Sequence, residues 1–159
     1  MSERPRLDAR RQHERPHVLV VTDAPSLTEF LNEGLPLGGF WVSTIASGLQ
    51  TLEVFRLRQF DLLLIDRDLE SFDADELIRR LRGTSTNASQ TPRTLAPIVT
   101  IGEHAATSTP DEAATLGIAA SLTAPIELED VVQTLHAVFA QWRQDNPDAP
   151  LADAASATA

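Results

Sequence analysis

The sequence contains no lysine and no cysteine, and each absence excludes chemistry. Without cysteine there is no disulfide framework, no thiolate metal site and no thiol nucleophile. Without lysine, any task that needs an ammonium group goes unfilled, because all 13 basic residues are arginine. No apolar stretch approaches the ~20 residues of a membrane span. The opening residues, Met1 to Arg6, carry charges with no apolar run behind them, so no secretory signal and no membrane association are expected, and the location expected is cytoplasmic. The four histidines (His13, His17, His104, His136) lack metal-ligand spacing. Neither a Gly-x-Gly-x-x-Gly nor a Gly-x₄-Gly-Lys pattern occurs, which excludes the common dinucleotide and P-loop readings. Positive charge is also scarce overall. A net charge of −10 is the wrong sign for nucleic acid, whose phosphates require a basic surface.

What is present is enough for one packed domain with short tails: 159 residues, 42% hydrophobic. Residues 1–16 form an Arg-rich arm expected to be flexible, residues 17–143 the domain, and residues 144–159 a tail of Ala, Ser, Asp and Thr expected to be disordered. Within the domain, strand and helix patterns alternate. Strands are predicted at 17–22, 40–45, 61–66, 98–101 and 118–122 from short β-branched or apolar runs. Leu62-Leu63-Leu64-Ile65 is the clearest, apolar at consecutive positions as a parallel strand covered on both faces would be. Between them, apolar residues at helical spacing follow Pro25, run over 49–57, and recur at 73–83 and 109–116; a last helix spans 127–143. Residues 84–95 form a long polar connection. The pattern is (βα)₅, an α/β doubly wound parallel sheet in the flavodoxin-like order 2-1-3-4-5. That order makes strands one and three neighbours and brings Asp23 and Asp66 together at their carboxyl ends, where such sheets bind ligands. A flavin phosphate would be repelled there, because the loop after strand one, Asp23 to Leu27, is acidic and lacks glycine.

Four blocks, Leu19 to Pro25, Phe60 to Asp66, Pro97 to Gly102 and Leu122 to Ile126, stand in the order and spacing of the receiver domain of two-component response regulators, which residues 17–143 resemble. The Phe-Asp-apolar₄-Asp block is the most specific of them. The resemblance implies that Asp66 corresponds to the phosphoacceptor. It implies a magnesium site formed by Asp23, Asp66 and the backbone carbonyl of Asp68, since Mg²⁺ takes oxygen ligands and shields an incoming phosphate from the carboxylate.

The departures from the family pattern carry equal weight. Thr22 stands where the family has a second acid, which leaves room for weak magnesium binding at most. Gly102 replaces the Ser/Thr that bonds the phosphoryl group, Ser121 replaces the switching aromatic, and Ala124, still followed by Pro125, replaces the lysine that neutralises phosphoryl oxygens. Glu103, Asp68, Glu70, Asp73 and Asp75 add negative charge to the same rim. Arg67, next to Asp66, either supplies some positive charge there or is a solvated surface arginine, and the second reading is preferred.

Phosphorylation can order a structure only where partners exist for the new charge. The leading expectation is therefore a degenerate receiver (a pseudo-receiver) with no enzymatic activity, acting as a phosphorylation-independent protein-interaction module. Its partner would be a histidine kinase, a phosphotransfer protein or an effector, and the face of helix four, strand five and helix five could pair two copies. Trp142, at the end of the last helix, either caps the core or anchors an interface. Two alternatives stand beside this: a stand-alone response regulator phosphorylated on Asp66 with altered kinetics, and a small-molecule sensor using the space that Gly102 and Ala124 vacate.

Overall fold

The computed structural model describes residues 14–86 and 90–152. Five parallel strands, β1 (His17–Val21), β2 (Trp41–Ile45), β3 (Leu62–Asp66), β4 (Ile98–Gly102) and β5 (Ile118–Thr123), lie in the order β2-β1-β3-β4-β5. Five helices connect them: α1 (Pro25–Leu37), α2 (Gly48–Val54), α3 (Ala74–Arg82), α4 (Pro110–Leu116) and α5 (Leu128–Asp145). This is the expected (βα)₅ flavodoxin-like fold. Among the described residues, no helix is long and apolar enough to cross a membrane.

Strand alternation sorts the core into two layers. Val18, Val20, Leu62, Leu64, Val99 and Ile101 face α1 and α5, packing on Leu31, Leu35, Val131, Leu135 and Phe139. Leu19, Val21, Leu63, Ile65 and Ile98 face α2 and α3, packing on Leu52, Leu77, Ile78 and Leu81. Each strand of the central three is buried at every position, which explains the unbroken apolar runs. Helix ends follow local chemistry. Asp73 accepts from Glu76 N at 3.1 Å to cap α3, and Thr109 and Glu112 form a reciprocal capping box on α4. Gly83 and Gly117 end those two helices with φ of 73° and 69°, a left-handed turn that favours glycine. Helix α4 buries none of its residues, and the Ala119, Ser121 and Thr123 side of β5 is left exposed.

The arm and the tail depart from expectation where they are described. Residues 1–13 and 153–159 lie outside the described residues, but the adjoining segments are docked. Arg15 lies over the Trp41 ring, 4.5 Å from its centroid, and Glu14 pairs with Arg143 at 2.5 Å. Helix α5 continues to Asp145, past the expected boundary at 143. Residues 146–152 then fold back: Leu151 packs on the α1/α5 layer, and Ala152 N donates to Asp61 Oδ1 at 2.9 Å. The reason is local. Leu151 is an apolar residue that packs on the α1/α5 layer, and buried Asp61 offers an acceptor for the Ala152 amide. The polar connection is likewise held at its described ends. Arg93 N donates to Leu81 O at 2.8 Å, and Arg82 donates to Thr94 O and Ala96 O at 3.0 and 2.6 Å. Residues 87–89 lie outside the described set.

Candidate functional site

The register Val21↔Ile65 carries β1 and β3 to a common end, so that the next residues, Thr22 and Asp66, meet. Thr22 Oγ1 donates to Asp66 Oδ2 at 2.7 Å and itself accepts from Ala24 N at 3.1 Å. The other carboxylate oxygen, Asp66 Oδ1, accepts from Asp68 N at 2.8 Å. Asp66 is only 5% exposed, and both of its oxygens are engaged by internal donors. Asp23 is held in a different way: its Oδ2 accepts from Glu70 N and Ser71 N, each at 3.0 Å. Burial pushes the Asp23 carboxyl up, but the bonds from the Ser71 and Glu70 backbone and the Ser71 hydroxyl outweigh that and hold it below the ordinary carboxylate value. Asp68 Oδ2 accepts from Glu103 N at 2.9 Å and ties the loop after β4 to the loop after β3.

Asp23, Asp66, Asp68 and Glu70 line a cleft of about 650 Å³ together with Gly102, Glu103, Ala124 and Ile126. Asp23, Asp66 and Asp68 therefore share one cavity, as expected. So do two of the positions predicted to have lost their function, Gly102 and Ala124; Ala124 N donates to Gly102 O at 2.9 Å, and the peptide bond to Pro125 is cis. Ser121 lies away from the cleft, on the α4 side of the sheet, where its hydroxyl is 2.7 Å from Thr100 Oγ1. Trp142 is half-buried and stacks on Phe139, with ring centroids 6.0 Å apart, against the α1/α5 layer. Among the described residues, no arginine forms an ion pair with Asp66 or Asp23.

Arg67 is not the solvated surface residue expected. It extends along the α4 side of the sheet and donates from Nη1 to Thr100 Oγ1 at 3.0 Å, and from Nη2 to Thr123 Oγ1 at 3.3 Å and to the carbonyl of His104. Burial pulls its guanidinium below the usual arginine value, against the opposing pull of Asp68 and Asp66. The physical reason is parity. Residues 62, 64 and 66 point to one face of the sheet and residues 63, 65 and 67 to the other. The signal lay in the sequence: strand alternation directs Arg67 away from the cleft, and Gly102 offers no side chain to block it. Thr22 is more than a missing acid. Its hydroxyl supplies a donor to Asp66 where a second carboxylate could only repel it.

The donor set can be tested against a magnesium ion. Mg²⁺ demands near-octahedral oxygen coordination. Here Asp66 accepts at both oxygens, Asp23 is tied by two amides, and the second acid is a threonine. Among the described residues, no group of three or more His, Asp or Glu is arranged to hold a metal ion. As arranged, these residues do not fit a tight magnesium site.

The family model for the response regulator receiver domain matches residues 18–136. Among curated proteins, the transcriptional regulatory protein YkoG of Bacillus subtilis is 30% identical over 130 residues, covering 80% of this chain and 53% of that protein. The transcriptional regulatory protein CseB of Streptomyces avermitilis is 37% identical over 73 residues, covering 46% of this chain and 31% of its own. The chain thus spans about half or less of the length of these relatives. Among solved structures, a CheY-like receiver domain protein from Methanospirillum hungatei aligns with a TM-score of 0.69 at 15% identity, over 83% of this chain and 99% of that one. The receiver domain of the sensor histidine kinase PA1611 from Pseudomonas aeruginosa, which holds a magnesium ion in its active-site cleft, aligns with a TM-score of 0.65 at 20% identity, over 80% of this chain and 99% of that one.

Proposed function

The chain belongs to the response regulator receiver domain family, and we propose that within signal transduction it acts as a pseudo-receiver, docking a signalling partner without phosphorylation of Asp66. One observation carries this reading. Each oxygen of the phosphoacceptor-equivalent carboxylate already accepts a bond, from Thr22 or Asp68, while among the described residues the family's groups that would receive a phosphoryl charge are missing from the matching positions. Ala124 brings no ammonium and Gly102 no hydroxyl. Among the described residues, the neighbouring cation Arg67 bonds on the far face of the sheet. A phosphoryl group on Asp66 would displace the donor from whichever oxygen it joined, the Thr22 hydroxyl at Oδ2 or the Asp68 amide at Oδ1. It would then share the cleft with Asp23, Glu70 and Glu103, with no compensating cation among the described residues lining it.

The rest of the reading follows from this. The chain performs no enzymatic turnover, and magnesium binds weakly if the Asp23 and Asp66 hydrogen bonds are exchanged for metal bonds. The partner is another signalling protein: a histidine kinase, a phosphotransfer protein or an effector. The uncovered side of β5 and helix α4, which buries no side chain, support docking of that partner or of a second copy through the α4–β5–α5 face. The competing reading, phosphorylation of Asp66 with altered kinetics, has one observation in its favour: Asp66 borders a cleft roomy enough for a phosphoryl donor.

Affinity-tagged wild type, Asp66→Ala and Asp66→Glu chains, tested against the kinases and regulators of the source organism, separate the two. Equal retention of the same signalling protein by all three supports constitutive docking. Retention that follows the charge at residue 66 refutes it.

A further inference from the structure

Arg67 occupies a place that needs an explanation of its own. Its guanidinium spans three strands: it leaves the end of β3, bonds Thr100 on β4 and Thr123 on β5, and reaches the carbonyl of His104 in the segment leading to α4. Gly102 is what admits it. A Cβ at Gly102 would stand 3.1 Å from Arg67 Nε and 3.2 Å from Cζ, closer than side chains normally pack. The φ of Gly102 is not in the left-handed region, so what glycine provides here is space and not conformation. Besides the Arg67 bond, the segment is held at its two ends, by the bond from Glu103 N to Asp68 and by the Thr109 capping box. Helix α4 has no buried side chain, and Thr107 and Ser108 line a cavity of about 200 Å³ beside Arg67.

We infer that Arg67 is a positioning residue, a strap that holds residues 103–109 in one arrangement whatever the state of Asp66. Three acceptors on three separate elements receive the same planar cation, a geometry that a single flexible ammonium could not reproduce. The strap passes through the space of the Gly102 side chain and bonds Thr100, whose hydroxyl also meets Ser121. The segment that would have to move in order to report on the cleft is therefore tied to the opposite face of the sheet. The inference deepens the proposed pseudo-receiver function, and its functional meaning rests on that reading; the geometry of the strap does not.

The test is hydrogen–deuterium exchange on the full chain with no phosphoryl donor present, comparing wild type, Arg67→Ala, Gly102→Val and the double variant. Arg67→Ala is expected to speed amide exchange in residues 103–109 by roughly tenfold or more, leaving β1 and α1 unchanged. Gly102→Val, which keeps the arginine but fills its path, is expected to do the same, and the double variant to go no further than either. Unchanged exchange in Arg67→Ala overturns the inference. So does acceleration spread equally through α1 and α5, which would make Arg67 a general stabiliser, and so does wild-type exchange in Gly102→Val. Intact masses of the same samples after treatment with acetyl phosphate report separately on whether Asp66 is phosphorylated, so failure of the strap and failure of the pseudo-receiver reading are distinguishable.

Discussion

Replacing Thr22 with valine keeps the branched shape of the side chain and removes the hydroxyl that donates to Asp66 at 2.7 Å and accepts from Ala24 N at 3.1 Å. Thr22 is 1% exposed and Asp66 5%, so water has little access to replace the lost donor. Hydrogen bonds to charged groups are worth about 1.5–3 kcal/mol, and an orphaned buried acceptor costs a similar amount. The expected loss for Thr22→Val is therefore about 2 kcal/mol. With a urea m-value of about 2 kcal/mol/M, the unfolding midpoint should fall by roughly 1 M. A double-mutant cycle with Asp66→Ala isolates the pair. Once the carboxylate is gone the hydroxyl has lost its acceptor, so a coupling of about 1 kcal/mol or more is expected. A Thr22→Val chain within ~0.3 kcal/mol of wild type, or a coupling near zero, would refute the claim that Thr22 holds Asp66; such a change is what an inert surface substitution gives.

Three further outcomes follow from other parts of the structure. Asp23 has a folded value below its ordinary 3.8, so the stability it contributes is fully present above that value and lost as pH falls through the lower folded value. Acid titration followed by circular dichroism should show a steeper loss below pH 3.8 in the wild type than in Asp23→Asn, and identical profiles would contradict this assignment. Arg82, whose buried guanidinium is pulled down to about 10 by desolvation, donates to the carbonyls of Leu116, Thr94, Ala96 and Gly117. Arg82→Met keeps the apolar stem but orphans those carbonyls, and chemical denaturation should report a loss of about 2–4 kcal/mol. Leu151→Ala should cost about 1–2 kcal/mol by the same measurement because Leu151 packs on the α1/α5 layer, whereas a free tail would give no change.

Strand periodicity carried most of the architecture. The run Leu62 to Ile65 reads as a strand buried on both faces, and the alternation of strand and helix points to a doubly wound sheet, whose flavodoxin-like order the structure shows. That order was enough to place Asp23 and Asp66 in one cleft, because both stand at carboxyl ends of adjacent strands. Two kinds of information were harder to extract. The direction of Arg67 depends on parity within β3 together with an unfilled position 35 residues later, so neither Arg67 nor Gly102 discloses the strap alone. The docking of residues 146–152 depends on one leucine and one backbone amide within a stretch whose composition is that of a disordered tail. Thr22 shows a third limit: family comparison marks it as a lost acid, whereas its hydroxyl is the donor that keeps Asp66 satisfied.

The central claim, that Asp66 is held by an internal donor on each oxygen and carries no phosphoryl group, is tested most directly by weighing the intact protein after incubation with acetyl phosphate and Mg²⁺. The account predicts an unchanged mass in wild type and Asp66→Asn alike. A gain of ~80 Da in the wild type that is absent from Asp66→Asn would contradict it.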